Sequence, residues 1–151
     1  MKILVDADSC PAAVRELILR AAQRTKTHAF FAANRSIPGI EGEYARMVIS
    51  PAIEGAADNS LAALSQKGDL AVTRDIPLAE RLLKTGAAVL DDRGRIFTIE
   101  NIREKLSLRN FTVDLAESGC EFERNAVYGK RELKTFADSF DKLLTKLQAE
   151  L

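Results

Sequence analysis

Histidine is almost missing from this chain. The single one, His28, cannot build a cluster of histidine metal ligands within one chain, and a Ser-His-Asp triad would have to rest on it alone. Cysteine is nearly as scarce. Cys10 and Cys120 are too few for a disulfide framework, so the composition points to a reducing, cytoplasmic setting. There is no tryptophan and only 6% aromatic residue, which leaves little material for stacking platforms on single strands. Neither charge sign dominates. The 22 basic and 22 acidic residues cancel, which argues against a coat of positive charge but allows a local basic patch. No apolar run approaches the ~20 residues of a membrane helix. The start, Met1-Lys2-Ile3-Leu4-Val5-Asp6, meets acids at Asp6 and Asp8 before any long apolar stretch, unlike a signal peptide.

What is present reads as globular. The 151 residues are 46% hydrophobic and 29% charged. Domains typically hold about 100–200 residues, so one domain over 1–151 is expected. Lys2–Asp6 is a short apolar run ending in an acid, a buried-strand pattern. Pro11 stands where a first helical position would be, and Val14, Leu17, Ile18 and Ala21 follow at helical spacing, predicting a helix over 11–24. His28–Ala33 and the weaker Met47–Ile49 read as strands, with a loop over Ser36–Glu43 between them. A helix is predicted over 57–67 with Gly68 as its stop. Leu70–Thr73 is a strand, Pro77 opens a helix that Gly86 ends, and Ala87–Leu90 and Ile96–Thr98 are further strands. Short helices are expected over 99–106 and 109–118. The last helix carries one stripe, Leu133, Phe136, Ala137, Phe140, Leu143, Leu144 and Leu147. Strands alternating with helices predict a three-layer α/β/α sandwich with a mostly parallel sheet.

The strand-like runs end in acids: Asp6 and Asp8, then Asp75, then Asp91 and Asp92. A further acid, Asp58, begins a helix. Open parallel sheets bind ligands beyond the carboxyl ends of their strands. Side chains two apart on an extended chain point the same way, so Asp6 and Asp8 can converge. Two bare carboxylates ~4 Å apart repel by about 4 kcal/mol at an effective dielectric of 20. A cluster therefore needs a proton, a basic neighbour or a divalent cation, and oxygen-only ligands favour Mg²⁺ or Mn²⁺. The plain alternative is that each Asp caps a helix or turn, with Asp58 as an N-cap.

The segments Val5-Asp6-Ala7-Asp8-Ser9-Cys10-Pro11, Ala57-Asp58-Asn59, Thr73-Arg74-Asp75-Ile76-Pro77-Leu78-Ala79, Arg93-Gly94 and Glu100-Asn101-Ile102-Arg103-Glu104 resemble the YaiI/YqxD family of small bacterial proteins. The likeness runs from Lys2 to about Gly119. That family usually carries a Gly-Pro loop before its last helix, a pattern that Glu121–Lys130 lacks here. The family is regarded as related to PIN-like nuclease domains. The resemblance then implies a sheet of order 3-2-1-4-5 and an acidic Mg²⁺ or Mn²⁺ pocket. Carried over, Asp6 is the first-strand metal ligand, Asp58 the helix acid and Asp75 the acid after the fourth strand, with Asp8 assisting.

Other chemistries draw on the same residues. Asp6-Ala7-Asp8 also resembles the first motif of haloacid-dehalogenase-type phosphatases, with Asp6 as nucleophile and Asp8 as acid/base. Thr73 would then hold phosphate, Asp91 and Asp92 would hold Mg²⁺, and Lys67 or Lys84 would supply the cation. Cys10 at a helix start could have a lowered pKa, but a small packed cysteine is the plainer reading. His28 inside an apolar run reads as a structural edge-strand residue. Arg93, Arg95, Arg103, Lys105 and Arg109 set five cations against Glu100 and Glu104, enough to hold a phosphodiester backbone, or an ordinary solvated surface. Arg74 beside Asp75 would hold a phosphate or the acids themselves. The resulting expectation is a metal-dependent nuclease acting on RNA or DNA, with Asp6, Asp8, Asp58 and Asp75 catalytic and Arg74, Arg93, Arg95 and Arg103 on the substrate. The non-enzymatic counterpart is a PIN-like domain that binds RNA or a protein without cutting.

Overall fold

Alternation along the first strand decides the layering. In β1 (Ile3–Asp6) the side chains of Ile3 and Val5 enter one apolar cluster and Leu4 enters the other. β2 (Ala29–Ala33) repeats the pattern: Ala29, Phe31 and Ala33 go to the first cluster and Ala32 to the second. Both faces of the sheet are therefore apolar and both are covered, as a parallel sheet requires.

The computed structural model describes residues 1–104 and 127–151. The remaining elements are a 3-10 turn (Ala7–Ser9), α1 (Ala12–Thr25), β3 (Ala45–Ile49), α2 (Ala56–Leu64), β4 (Leu70–Val72), α3 (Ile76–Lys84), β5 (Ala88–Leu90) and β6 (Ile96–Phe97). α4 is described over residues 99–104, and α5 (Lys130–Ala149) closes the chain. The sheet order is β3-β2-β1-β4-β5-β6. All pairs are parallel except β5–β6. The order implied by the resemblance is thus present, with one antiparallel edge strand added. α1 and α5 cover one face through Val14, Ile18, Phe136, Phe140 and Leu144. α2, α3 and α4 cover the other through Leu61, Leu78, Leu82 and Ile102. The result is an α/β/α sandwich.

α5 is docked through its first turns. Glu132 Oε2 accepts the Gly129 N–H at 3.0 Å, satisfying the helix start, and Tyr128 Oη donates to the Asp92 carbonyl at 2.6 Å. Gly94 sits under the helix with φ +83, where a Cβ would lie 2.6 Å from the Thr135 carbonyl oxygen. Only glycine gives both that backbone and that approach.

Several expectations are corrected. His28 does not lie in an edge strand: it is exposed just before β2, which runs between β1 and β3. Its carbonyl accepts the Ile3 N–H and its ring lies 5.2 Å from that of Tyr44. α2 is shorter than 57–67 because it stops at Leu64, where Ser65 turns to extended backbone. Gly68 therefore belongs to the turn before β4 rather than to a helix end. Pro11 is the N-cap of α1, not its first helical residue. The expected helix over 109–118, Lys105, Arg109, Cys120 and residues 121–126 lie outside the described residues.

Candidate functional site

Parallel strands that end level with one another leave their carboxyl ends on one edge of the sheet. There a cleft of about 400 Å³ is lined by Asp6, Asp8, Asp58 and Asp75 together. Each acid arrives on its own element. Asp6 ends β1, Asp8 lies in the 3-10 turn, Asp58 is in the first turn of α2, and Asp75 is the N-cap of α3.

Asp6 is the buried member. Its Oδ2 accepts from Thr73 Oγ1 at 2.9 Å and from Ser9 Oγ at 3.1 Å. Burial pushes its pKa above the ordinary carboxylate value. The two hydroxyls oppose that shift, and the charges of Asp75 and Asp8 add to it. Asp8 does not converge by the extended-chain route expected, because the backbone turns at Ala7. Its Oδ2 instead accepts the Asn34 N–H at 3.1 Å beyond β2. Asp75 Oδ1 caps α3 by accepting the Leu78 N–H at 3.0 Å. Asp58 is not an N-cap, since Gly55 holds that position. Its pKa is raised by burial first, then by the charges of Asp75 and Asp6, with Arg81 opposing; a hydrogen bond to Asp75 adds to the rise. Arg81 also donates to Asn59 Oδ1 at 2.9 Å, tying α3 to α2.

The donor chemistry fits a hard divalent cation, because the cleft offers carboxylate oxygens that repel one another. Its arrangement limits the fit. Among the described residues no group of three or more His, Cys, Asp or Glu side chains is placed to hold one metal ion. One oxygen of two of these acids is already engaged: Asp8 Oδ2 accepts the Asn34 N–H and Asp75 Oδ1 the Leu78 N–H. Mg²⁺ commonly takes only one or two carboxylates and keeps several waters.

The arginines occupy a second, smaller recess of about 160 Å³, lined by Arg74, Arg93 and Arg95 together with Asp91 and Asp92. Arg74 Nε lies 3.7 Å from Asp92 Oδ2, and Arg95 Nε lies 3.9 Å from Asp91 Oδ2. Arg93 lies 3.8 Å from Glu132 and over the Tyr128 ring. These cations therefore face acids, and the recess is close to charge-balanced. Arg103 is exposed on α4 and lines neither recess.

The same geometry bears on the phosphatase assignment. Asp91 and Asp92 do not line the cleft of Asp6 and Asp8, and Lys84 reaches Glu80 at 3.3 Å instead. The Thr73 hydroxyl is spent on Asp6 and on the Asp75 N–H. Cys10 is buried and its thiol is pushed up to about 12, chiefly by burial, as a packed cysteine should be. Sequence reasoning missed Ser9 as a partner of Asp6, although Ser9 follows Asp6 at the spacing of a tight turn.

The family model described as "Uncharacterized BCR, YaiI/YqxD family" matches residues 4–146. The chain belongs to the YaiI/YqxD family. Among its relatives, a UPF0178 protein of Treponema denticola is 47% identical over 146 residues, covering 97% of this chain and 93% of the relative. A UPF0178 protein of Treponema pallidum is 46% identical over 147 residues, covering 97% of this chain and 83% of the relative. Another, from Myxococcus xanthus, is 46% identical over 147 residues, covering 97% and 96%. No solved structure gives a significant match to this YaiI/YqxD chain. Within the family match lie all four aspartates of the cleft.

Proposed function

We propose that this protein is a divalent-metal-dependent phosphodiesterase, a PIN-like nuclease acting on RNA or DNA in the cytoplasm. The observation that carries the reading is the meeting of Asp6, Asp8, Asp58 and Asp75, from four separate elements, in one cleft at the carboxyl edge of the sheet. Two of these acids, Asp6 and Asp58, have raised pKa values partly because the acids face each other. Such a site is unfavourable unless a cation neutralises it.

Asp6 and Asp75, or Asp58 and Asp75, would hold Mg²⁺ or Mn²⁺, and Asp8 would orient a water at the rim. When bound, the cation would act as a Lewis acid toward a phosphoryl oxygen and lower the pKa of a nearby water. Ser9 and Thr73 donate to Asp6 Oδ2, which leaves Oδ1 for the cleft. Arg74, Arg93, Arg95 and Arg103 would position the phosphate backbone.

The test is cleavage of labelled single-stranded RNA and DNA by purified protein with Mn²⁺. Asp6→Asn and Asp75→Asn should each abolish cleavage while leaving the circular dichroism spectrum intact. Cleavage retained in both variants would reject the assignment.

A further inference from the structure

The acidic cleft has a second wall of a different kind. Besides the aspartates it is lined by Pro51, Ala52, Ile53, Glu54, Gly55 and Ala57. Ile53 is 70% exposed, and Ile49, four residues earlier, is 59% exposed. A large aliphatic side chain held in water is unfavourable unless something covers it in the working state.

The loop holds Ile53 out rather than letting it fold inward. The Ile53 N–H donates to the Pro51 carbonyl at 2.7 Å, and the Ala56 N–H donates to the Ile53 carbonyl at 3.0 Å. Gly55, with φ +80, then turns the chain into α2. At the base of the loop the Ser50 and Ser60 hydroxyls are 2.8 Å apart, and the Ser50 N–H donates to the Ala33 carbonyl. The tip is therefore anchored on both sides.

Charge selects what can lie there. The described residues lining this cleft include five acids, counting Glu54, and neither Lys nor Arg. A second phosphate has no partner on this wall, and sugar hydroxyls would find few donors or acceptors on Pro51, Ala52 and Ile53. The part of a nucleotide that suits the aliphatic surface of Pro51, Ala52 and Ile53, beside the acidic Glu54, is the face of its base.

We propose that the 51–55 loop, with Ile53 at its tip, seats the nucleobase adjoining the phosphate in the acidic cleft. This rests on the phosphodiesterase reading and deepens it. A base can lie on the ledge only when it is out of a duplex stack, so the preferred substrate is single-stranded.

The experiment uses two fluorescein-labelled single strands with phosphorothioate linkages, one bearing bases and one abasic through its centre. Binding to the full chain with Mn²⁺ is read by anisotropy for the parent and for Ile53→Ser. The parent should prefer the base-bearing strand by about tenfold, and Ile53→Ser should lose at least about threefold of that preference. Its affinity for the abasic strand should stay within about twofold of the parent's, since backbone contacts are untouched. The same preference in both proteins, or none in the parent, overturns the proposal. A concentration-dependent dimer that disappears in Ile53→Ser overturns it too, by giving the ledge to a second copy. Failure of the phosphodiesterase reading is seen separately, as absence of cleavage of an unmodified strand by the parent.

Discussion

The Thr73 hydroxyl, buried at the end of β4, donates to Asp6 Oδ2 across the β1–β4 pair at 2.9 Å. Thr73 Oγ1 in turn accepts the Asp75 N–H at 3.0 Å, so the hydroxyl's one proton is committed to Asp6. Thr73→Val keeps the shape and removes the donor. Leaving a buried acceptor short of a partner costs about 1–3 kcal/mol. Melting at neutral pH should fall by about 2–12 °C for a chain of this size. Part of the loss should return as pH is lowered and Asp6 takes up a proton. An unchanged melting temperature would mean that Ser9 alone suffices.

Asp6 and Asp58 both have pKa values raised above the ordinary 3.8 in the folded protein. A raised acid binds its proton more tightly folded than unfolded. Its ionisation therefore opposes folding above the folded pKa, and the penalty disappears as pH falls toward 3.8. Asp58→Asn should raise the melting temperature at pH 7 in chelator by ~1–2 °C, a small effect because this acid is largely solvent-screened. It should also flatten the stability profile between the folded pKa and about pH 4. Melting curves over that range decide it, and a lower melting temperature would assign Asp58 to structure alone.

At Asp75 the capping and the proposed metal role can be separated. Asp75→Asn retains an oxygen for the Leu78 N–H and should keep the stability of α3, while Asp75→Ala should lose about 1 kcal/mol. If both variants lose cleavage and only the alanine variant loses stability, the two roles are distinct. Cleavage by the asparagine variant equal to the parent would leave only the cap.

A cation that binds the native state alone stabilises it by RT ln(1 + [L]/Kd), about 1.4 kcal/mol at ten times Kd. Mn²⁺ should therefore raise the melting temperature of the parent by about 3–6 °C. Asp6→Asn should abolish most of that rise. An equal rise in both proteins would move the ion elsewhere.

Gly94→Ala should be among the most damaging single changes, because its Cβ would meet the Thr135 backbone at 2.6 Å in a backbone conformation that side chains rarely adopt. A cost of about 2–4 kcal/mol is expected. Thermal melting, and loss of tyrosine fluorescence anisotropy in a Tyr44→Phe background, would register the loosened helix.

The sandwich was legible because short apolar runs alternate with amphipathic stretches, and because Pro11, Pro77 and Gly86 stand close to element ends. The strand order was not in the pattern itself and came with the family resemblance. Boundaries failed where tertiary contacts decide them: the Ser65 and Thr85 hydroxyls, 2.6 Å apart, join the end of α2 to the end of α3, where the first of the two helices was expected to run on to 67. The acids at strand ends were readable, since strand ends of a parallel sheet gather on one edge. Their hydrogen bonds were not. Asp8 with Asn34 and Thr73 with Asp6 are pairs separated by 26 and 67 residues, beyond any local signal. The acidic partners of the arginines were unreadable for the same reason: Glu132 and Asp92 reach Arg93 and Arg74 only after folding.

The docking of α5 also sets a timetable. Phe136, Phe140 and Leu144, all shielded from water, complete the face that β1, β2 and α1 began. Those partners lie in the first thirty-three residues, and the helix that covers them begins at Lys130. At about 5–20 residues per second, the ribosome releases the early strands several seconds before their cover is made. The nascent chain must therefore travel through most of its synthesis with one side of its sheet incompletely roofed. Truncation before Lys130 should leave a chain that chaperones retain rather than release.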